Sequence, residues 1–590
     1  NYLAIIDADI EIPGPPEDIE PLDPKGNWPK MLKISTERES VLNLWLSSEV
    51  TLIWEDKEDI VNDWKLWQKQ YWAQPESTVK NFPFQRAANI VIPLTAIAVE
   101  AVHARIMNTI FSVKPFWSIR PRTSRWVESA KPVEEFLQAE VENENSLDAY
   151  AFCSDSLMEL VKLGTGIGKS GYEKTIKKSV RTGTDGGNEP FYTVTNNGST
   201  LEYVASANFL MRAGEQDPQI AAIVGEEHAF TWGQMKKMVQ SGRMMKDAVE
   251  GIRHWAATTE SEHSGSASSY VDAIEKLDKF EPRWHDKFRV QELWCSFDID
   301  GVDGEDEEII VDYHHASSTI LSIHYNWYSD LHRPYRVTQY VKVEGRFWGL
   351  GIGKQNEQFQ TIITTIKRQS LDNATLANMR MLAVKKQSGI SSDEPIFPGK
   401  IWFLDDPSRD VQVLQMSEIY QSAYANEQSI QLYSDKRTGV NETLLGIPAQ
   451  GTPGTATGDL ARIAEGNKRF DLVLRNIRRW LGLLGQDVLS NYQQFGDQQR
   501  HWLVLEEEGG WVERVLNMPQ QLVRSGAIVE LSATSSITNR QVEQQQWMSL
   551  FTVISNYYQK IIELSNLFQD PKLLAAVAQR AVAASDEAMK

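Results

Sequence analysis

Two glycine-rich stretches, an acidic cluster and a group of histidines are the places in this 590-residue chain where residue type and spacing could do chemistry. Gly164 to Ser170 reads Gly-Thr-Gly-Ile-Gly-Lys-Ser, which invites a phosphate-binding loop. Such a loop needs G-x-x-x-x-G-K-[ST], so that enough backbone N–H groups curl around the phosphates. Counting back from Gly168-Lys169-Ser170, the required glycine falls on Leu163. The available Gly164 leaves the loop one residue short. The context is also reversed, with helical periodicity before the segment and a strand pattern after it. A helix stop followed by a turn accounts for these glycines. Gly349-Leu350-Gly351-Ile352-Gly353 fails the dinucleotide pattern G-x-G-x-x-G, because Lys354 follows it. It reads as a flexible lead into a helix.

Asp298, Asp300 and the run Asp303 to Glu308 form the acidic cluster. A calcium loop of the EF-hand type needs glycine at its sixth position and glutamate at its twelfth. Those places hold Asp303 and Ile309, so the segment reads as an acidic hairpin tip. His314, His315 and His324 fall in strand-like sequence, where neighbours point to opposite faces and cannot easily share a metal. They read as structural histidines. Neither G-x-S-x-G nor H-E-x-x-H occurs. No catalytic residue, cofactor or metal is therefore expected. Cys153 and Cys295 are far apart and outside any C-x-x-C spacing, which predicts two buried free thiols and a reducing compartment.

The formal net charge is −20. Proteins that grip DNA by neutralising phosphates show a basic balance or a basic stripe. An acidic chain argues against tight, stationary binding, and leaves open a surface past which DNA slides. No secretory signal is apparent, although the chain opens on Asn1. The most apolar stretch, Ala88 to Met107, contains Pro93, Glu100 and Arg105, which are costly in lipid. A soluble protein without membrane contact is expected.

The elements that would position any site are mixed. Residues 1–36 are Pro-rich and acidic and read as an extended arm. Glu37 to Trp72 is helical, with Trp64 and Trp67 on one face as packing anchors or subunit contacts. Leu94, Ile97, Ala98, Ala101, Val102, Ile106, Thr109 and Ile110 mark a second amphipathic helix, with Pro93 at its first turn. Phe116 to Ile119 reads as extended, and a single helix is expected from about Lys131 to Leu163. Strands are expected at Glu292 to Asp298 and Glu308 to Tyr313, with Gly301, Asp303 and Gly304 turning between them. Ser261 to Ser269 reads as a loop. A long helix follows Gly353, short strand-like pieces cover 388–415, and Ser417 to Arg437 is helical. The small-residue loop Gly446 to Gly458 leads to Asp459, read as the N-cap of a helix to about Ser490. Helical pattern returns from Asn539 to Lys590. The fold class is α+β with a long central helical hairpin.

Several segments, in this order, resemble the portal proteins of tailed bacteriophages. Trp64 to Pro121, with Asn89-Ile90-Val91-Ile92-Pro93 and Phe111-Ser112-Val113-Lys114-Pro115-Phe116, is similar to the family's opening. The helix into Gly164-Thr165-Gly166-Ile167-Gly168-Lys169, the hairpin at Asp298 to Glu308, the stretch Gly345 to Gly353, and Gly446-Ile447-Pro448 with its loop are similar in turn. The likeness spans about residues 60–490 and does not place residues 215–285.

The resemblance implies a homo-oligomeric ring, usually dodecameric, at one capsid vertex, assembled in the host cytoplasm and carried in the virion. It implies a wing over 37–350, stem helix 1 over 353–386, a clip over 387–415 and stem helix 2 over 416–438. A tunnel loop over 446–458, a tunnel helix over 459–490, a wing return over 491–535 and a helical crown over 536–590 complete the pattern. The channel constriction would be Gly451, Thr452, Pro453, Gly454 and Thr455. Partners would be double-stranded DNA passing through, terminase, the major capsid protein and tail adaptors. The family packages DNA with a separate motor, so it needs no phosphate loop of its own. Two other readings stay open: a nuclease or NTPase of the packaging machinery, and another structural ring component of the virion.

The helix from Asp459 carries a physical check. Phe470, Val473, Leu474, Ile477, Leu481, Leu484 and Val488 cluster on one face, and Lys468, Arg475 and Arg479 fall opposite. Those cations read either as a solvated or salt-bridged face or as groups that meet a neighbouring subunit's acids or passing phosphates. The loop before them carries no charge from Gly446 to Gly458. Twelve copies would carry a formal 12 × −20 = −240, a field screened over about 10 Å at 0.1 M salt.

Overall fold

The computed structural model describes residues 31–76, 84–85, 87–143, 147–182, 188–258, 287–299, 301, 304–378, 381–386, 401, 403, 406–414, 420–439, 456–496, 499–505, 511–517 and 523–532. Residues 1–30 of the arm expected over 1–36, the loop Ser261 to Ser269, the constriction Gly451 to Thr455 and the segment 536–590 lie outside them.

Helix α1 (Thr36–Tyr71) starts where Ser35 accepts a hydrogen bond from the Arg38 N–H through its hydroxyl, 3.3 Å away. Such a cap satisfies one of the orphan donors of a first helical turn. Its apolar positions Leu42, Leu46, Val50 and Ile53 cover one face of a five-stranded antiparallel sheet in the order β4–β5–β6–β7–β8. The strands are β4 (Phe209–Met211), β5 (Ile223–Thr231), β6 (Lys287–Phe297), β7 (Glu307–His314) and β8 (Thr319–Tyr325). The opposite face receives α5 (Trp232–Gln240) and α6 (Lys246–Thr258), through Met235, Val249 and Ile252 and through Met244 of the turn between them. Both faces are thus covered, so β6 and β7 are nearly continuously buried. Their strand signal was legible as a hairpin. His315, however, leaves the strand and opens a 3-10 turn.

A second layer joins α2 (Leu94–Phe111), β1 (Trp117–Pro121), α3 (Ser124–Val141) and α4 (Ala149–Leu163). The single helix expected from Lys131 to Leu163 is two helices. Asp148 sits in the left-handed region at φ 36° and accepts a hydrogen bond from the Ala151 N–H at 3.2 Å, restarting the helix as an N-cap. Pro132 lies inside α3 and does not open it. Gly164, at φ 109°, closes α4 in the left-handed form that an L side chain resists. Strand β2 (Thr165–Thr182) begins on the next residue and pairs with β3 (Asn188–Tyr203) and with β9 (Tyr335–Gln339).

Helix α7 (Ile352–Asn378) follows, and pairs with α8 (Tyr420–Thr438) as a long hairpin. Where helix was expected to residue 386, the chain turns to strand β10 (Met381–Val384), paired antiparallel with β11 (Val411–Leu414). Backbone pairing with a segment thirty residues on ends the helix, which local pattern does not report. Helix α9 (Ala456–Phe495) starts three residues before the expected cap and runs five past the expected end. A hairpin of β12 (Gln499–Leu505) and β13 (Trp511–Asn517) and strand β14 (Ala527–Leu531) close the described chain, β14 pairing with β1. No helix among the described residues is long and apolar enough to cross a membrane.

Candidate functional site: the hairpin, its root and the long helix

The root of α7 explains the glycines that suggested nucleotide binding. Gly349 and Gly351 lie against the backbone of Lys162 and Gly164, so a side chain at either would strike main-chain atoms. The Gly349 N–H donates to Thr165 Oγ1 at 2.9 Å, and the Tyr340 N–H donates to the Gly164 carbonyl at 2.9 Å. Both glycine motifs thus meet in one close backbone crossing, where only the absence of Cβ permits the approach.

Above that crossing the first turns of α7 are held by buried polar groups. Gln360 donates to the Gln70 carbonyl at 2.7 Å and accepts from the Thr95 N–H at 2.9 Å. Trp67 Nε1 donates to Glu357 Oε2 at 3.0 Å, which, with Lys354 beside it, helps hold this carboxyl below its usual range against the opposing effect of burial. Trp64 and Trp67 are both buried, as packing anchors. Further along, the hairpin partners touch through Ser434 Oγ to Asn356 Oδ1 at 2.9 Å and through a Lys367–Glu427 ion pair at 3.4 Å. Ile362, Leu371, Tyr424, Leu432 and Tyr433 stay exposed on this hairpin.

Helix α9 divides as its periodicity requires. Val473, Leu474, Ile477, Leu481, Leu484 and Val488 are buried with Trp480 and Tyr492 against α3, α4 and β14, and Phe470 packs at their edge. Trp117 Nε1 donates to the Leu481 carbonyl and Trp480 Nε1 to the Arg336 carbonyl, each at 2.9 Å. Buried Asp487 takes a two-pronged contact from Arg336 at 2.6 and 2.8 Å and a third from Arg524 at 3.0 Å. Arg475 and Arg479 are exposed on the far face. Lys468 lies in the helix, with its side chain outside the described residues. Arg478, one step round from Arg475, has Nε and Nη2 buried with no acceptor among the described residues, and burial lowers its pKa below the ordinary arginine value.

One cluster escaped sequence reasoning. Glu226, Glu292, Asp312 and Ser322 stand directly opposite one another across β5, β6, β7 and β8. Like charges so placed repel, and two cations close the row. Lys169 reaches Glu292 at 2.9 Å and Glu226 at 3.4 Å, and Arg243 reaches Glu292 at 3.0 Å and Asp312 at 3.4 Å. Burial alone would raise the Glu292 carboxyl, but Lys169 and Arg243 together pull it well below the usual carboxylate range. Lys169, the lysine of the apparent phosphate loop, thus sits in a strand and ties the three-stranded sheet to the five-stranded one. The only signal for this cluster was alternation in strands remote in sequence.

Among the described residues no group of histidine, cysteine, aspartate or glutamate is arranged to hold a metal ion. At the expected acidic tip, Asp298 pairs with Arg38 at 3.1 Å. His314 Nδ1 lies 2.6 Å from Ser317 Oγ and His324 Nε2 lies 3.2 Å from the Arg243 carbonyl. Cys153 and Cys295 are free and buried, and burial pushes the Cys295 thiol up to about 12.

The arrangement is that of a mixed α/β structural subunit: a covered sheet, a projecting helical hairpin rooted by glycines, and one long helix laid across the core. The chain belongs to the family of the phage SU10 portal protein, which it matches over residues 191–584, more than half its length. No curated protein matches it significantly. It is therefore a portal subunit, a structural head-to-tail connector and conduit for DNA packaging, and not an enzyme. Portal proteins form oligomers and work at the capsid. The matched region takes in residues 215–285, which the sequence resemblance left unplaced. The resemblant stretch Trp64 to Pro121 precedes it.

Proposed function

We propose that twelve copies close into a ring at one capsid vertex, through which double-stranded DNA enters and leaves. The α7–α8 hairpin is the stem, and residues 37–350 with the return over 491–535 are the wing. The segment 387–415 is the clip, the expected loop, shortened to 446–455 by the start of α9 at Ala456, lines the tunnel, α9 is the tunnel helix and 536–590 is the crown. The constriction falls at Gly451 to Thr455, whose uncharged residues offer passing phosphates no ammonium to hold. Terminase, tail adaptors and the major capsid protein dock on the outside of this ring. Lys468, Arg475 and Arg479 serve the assembled particle and not the fold of the single subunit.

The family match supports this reading, and the α7–α8 hairpin is the observation that carries the assignment of parts: its root is fixed in the wing by buried polar groups while its outer surface keeps tyrosines and leucines in solvent. Native mass spectrometry of the purified chain tests the stoichiometry. A dominant species of twelve times the 67.0 kDa chain mass is expected. A different closed number would correct the stoichiometry, and a stable monomer at micromolar concentration would contradict the ring.

A further inference from the structure

On α9, Leu472, Arg475, Arg479 and Leu483 follow at spacings of three, four and four residues and are all exposed, the leucines by 62% and 37%. At about 100° per residue they share an arc of about 80° and a length of about 16 Å. A face meant only for solvent, or only for phosphates, has no use for leucines at both ends. On α1, Leu44, Glu55, Glu58, Asp59 and Leu66 are exposed in the same manner, the leucines by 76% and 42%. They fall within an arc of about 100°. One stripe is two arginines between leucines, and the other is three carboxylates between leucines. The Nε and Nη2 of Arg478, without an acceptor among the described residues, border the first stripe.

A head-to-tail contact that closes a ring joins two different surfaces of the same chain, and these two are complementary in charge and alike in helical shape, the α1 stripe running about 33 Å and so long enough to receive the shorter α9 stripe along its carboxylates. We infer that the Leu472–Leu483 face of α9 docks on the Leu44–Leu66 face of α1 in the adjacent copy. The inference rests on the ring reading and goes beyond it by assigning both sides of a subunit contact. It also assigns the basic face of α9 to protein and not to DNA.

Charge exchange tests it. Arg475→Glu with Arg479→Glu in one chain, and Glu55→Arg with Glu58→Arg and Asp59→Arg in another, should each lower the ring fraction about tenfold or more, because like charges then face each other. The chain carrying all five changes should regain rings to within about threefold of wild type, since attraction is restored with its sign reversed. Melting temperatures close to wild type keep misfolding from imitating the loss. Rings undiminished in both partial variants, with DNA packaging impaired in the arginine variant, would overturn the inference and turn that face toward DNA. A five-fold variant that folds but stays unassembled would overturn it as well. A wild-type chain that forms no ring overturns the ring reading first and the inference with it.

Discussion

The interior of the five-stranded sheet and the α7–α8 hairpin solve opposite problems. In the sheet, Glu226, Glu292 and Asp312 are buried side by side, and every one has a cation from the same subunit within 3.4 Å. On the hairpin, Tyr424, Leu432 and Tyr433 remain in solvent, and Ser434 is the one residue of α8 fully buried among those described. The first region is complete in one chain. The second leaves apolar and aromatic side chains open to solvent. A subunit that must fold before it assembles needs that division, with internal charges settled early and apolar surface held back.

Breaking the complete side should cost most. Lys169→Met leaves Glu226 and Glu292 facing each other without their shared cation, and removal of one partner from a buried pair costs about 3–5 kcal/mol. Chemical denaturation should report that loss in the isolated subunit. A change under about 0.5 kcal/mol would mean that water or Arg243 already screens the row.

Buried Lys57 sharpens the same point from the side of pH. Its ammonium donates to the Ala207 and Phe209 carbonyls at 2.6 and 2.7 Å amid Trp54, Trp64 and Trp348. Burial lowers its pKa from 10.5 to about 7, against the opposing pull of Glu227 and Glu159. Between those values the unfolded chain holds a proton that the folded chain does not, so stability rises with pH across that window. Below pH 7 the cost of burying the charge is fully present. The expected slope approaches about 1.4 kcal/mol per pH unit, and Lys57→Met should flatten it. An equal slope in the variant would assign the dependence to other groups.

The incomplete side should behave in reverse. Leu432→Glu with Tyr433→Glu should leave subunit stability within about 0.5 kcal/mol while depleting rings in sedimentation. A large loss of stability instead would show that these residues serve the fold of one chain. The smallest effect on stability is expected for Lys468→Ala, Arg475→Ala and Arg479→Ala together, which should reduce DNA packaging without shifting the melting temperature. Unchanged packaging and unchanged assembly would remove that face from the account.

Much of this was legible because periodicity reports burial. The apolar face of α9 and the anchors Trp64 and Trp67 follow from spacing alone, and so do the two central strands. The rejection of the phosphate loop needed only counting, and the structure supplies the reason for the glycines. What was not legible depends on partners distant in sequence. The break before Asp148 has neither glycine nor proline to announce it, since aspartate there adopts the left-handed form by capping the next helix. The end of α7 is set by the pairing of Met381 with Leu414. The carboxylate row is made by register across four strands, and no single strand carries its pattern.

Cryo-electron microscopy of the purified chain, with particles classified by symmetry, tests the central claim most directly. Closed rings with a central hole wide enough for a DNA duplex, and with the loop at 446–455 facing that hole, are expected. A uniform population of monomers or dimers at the same concentration would contradict it.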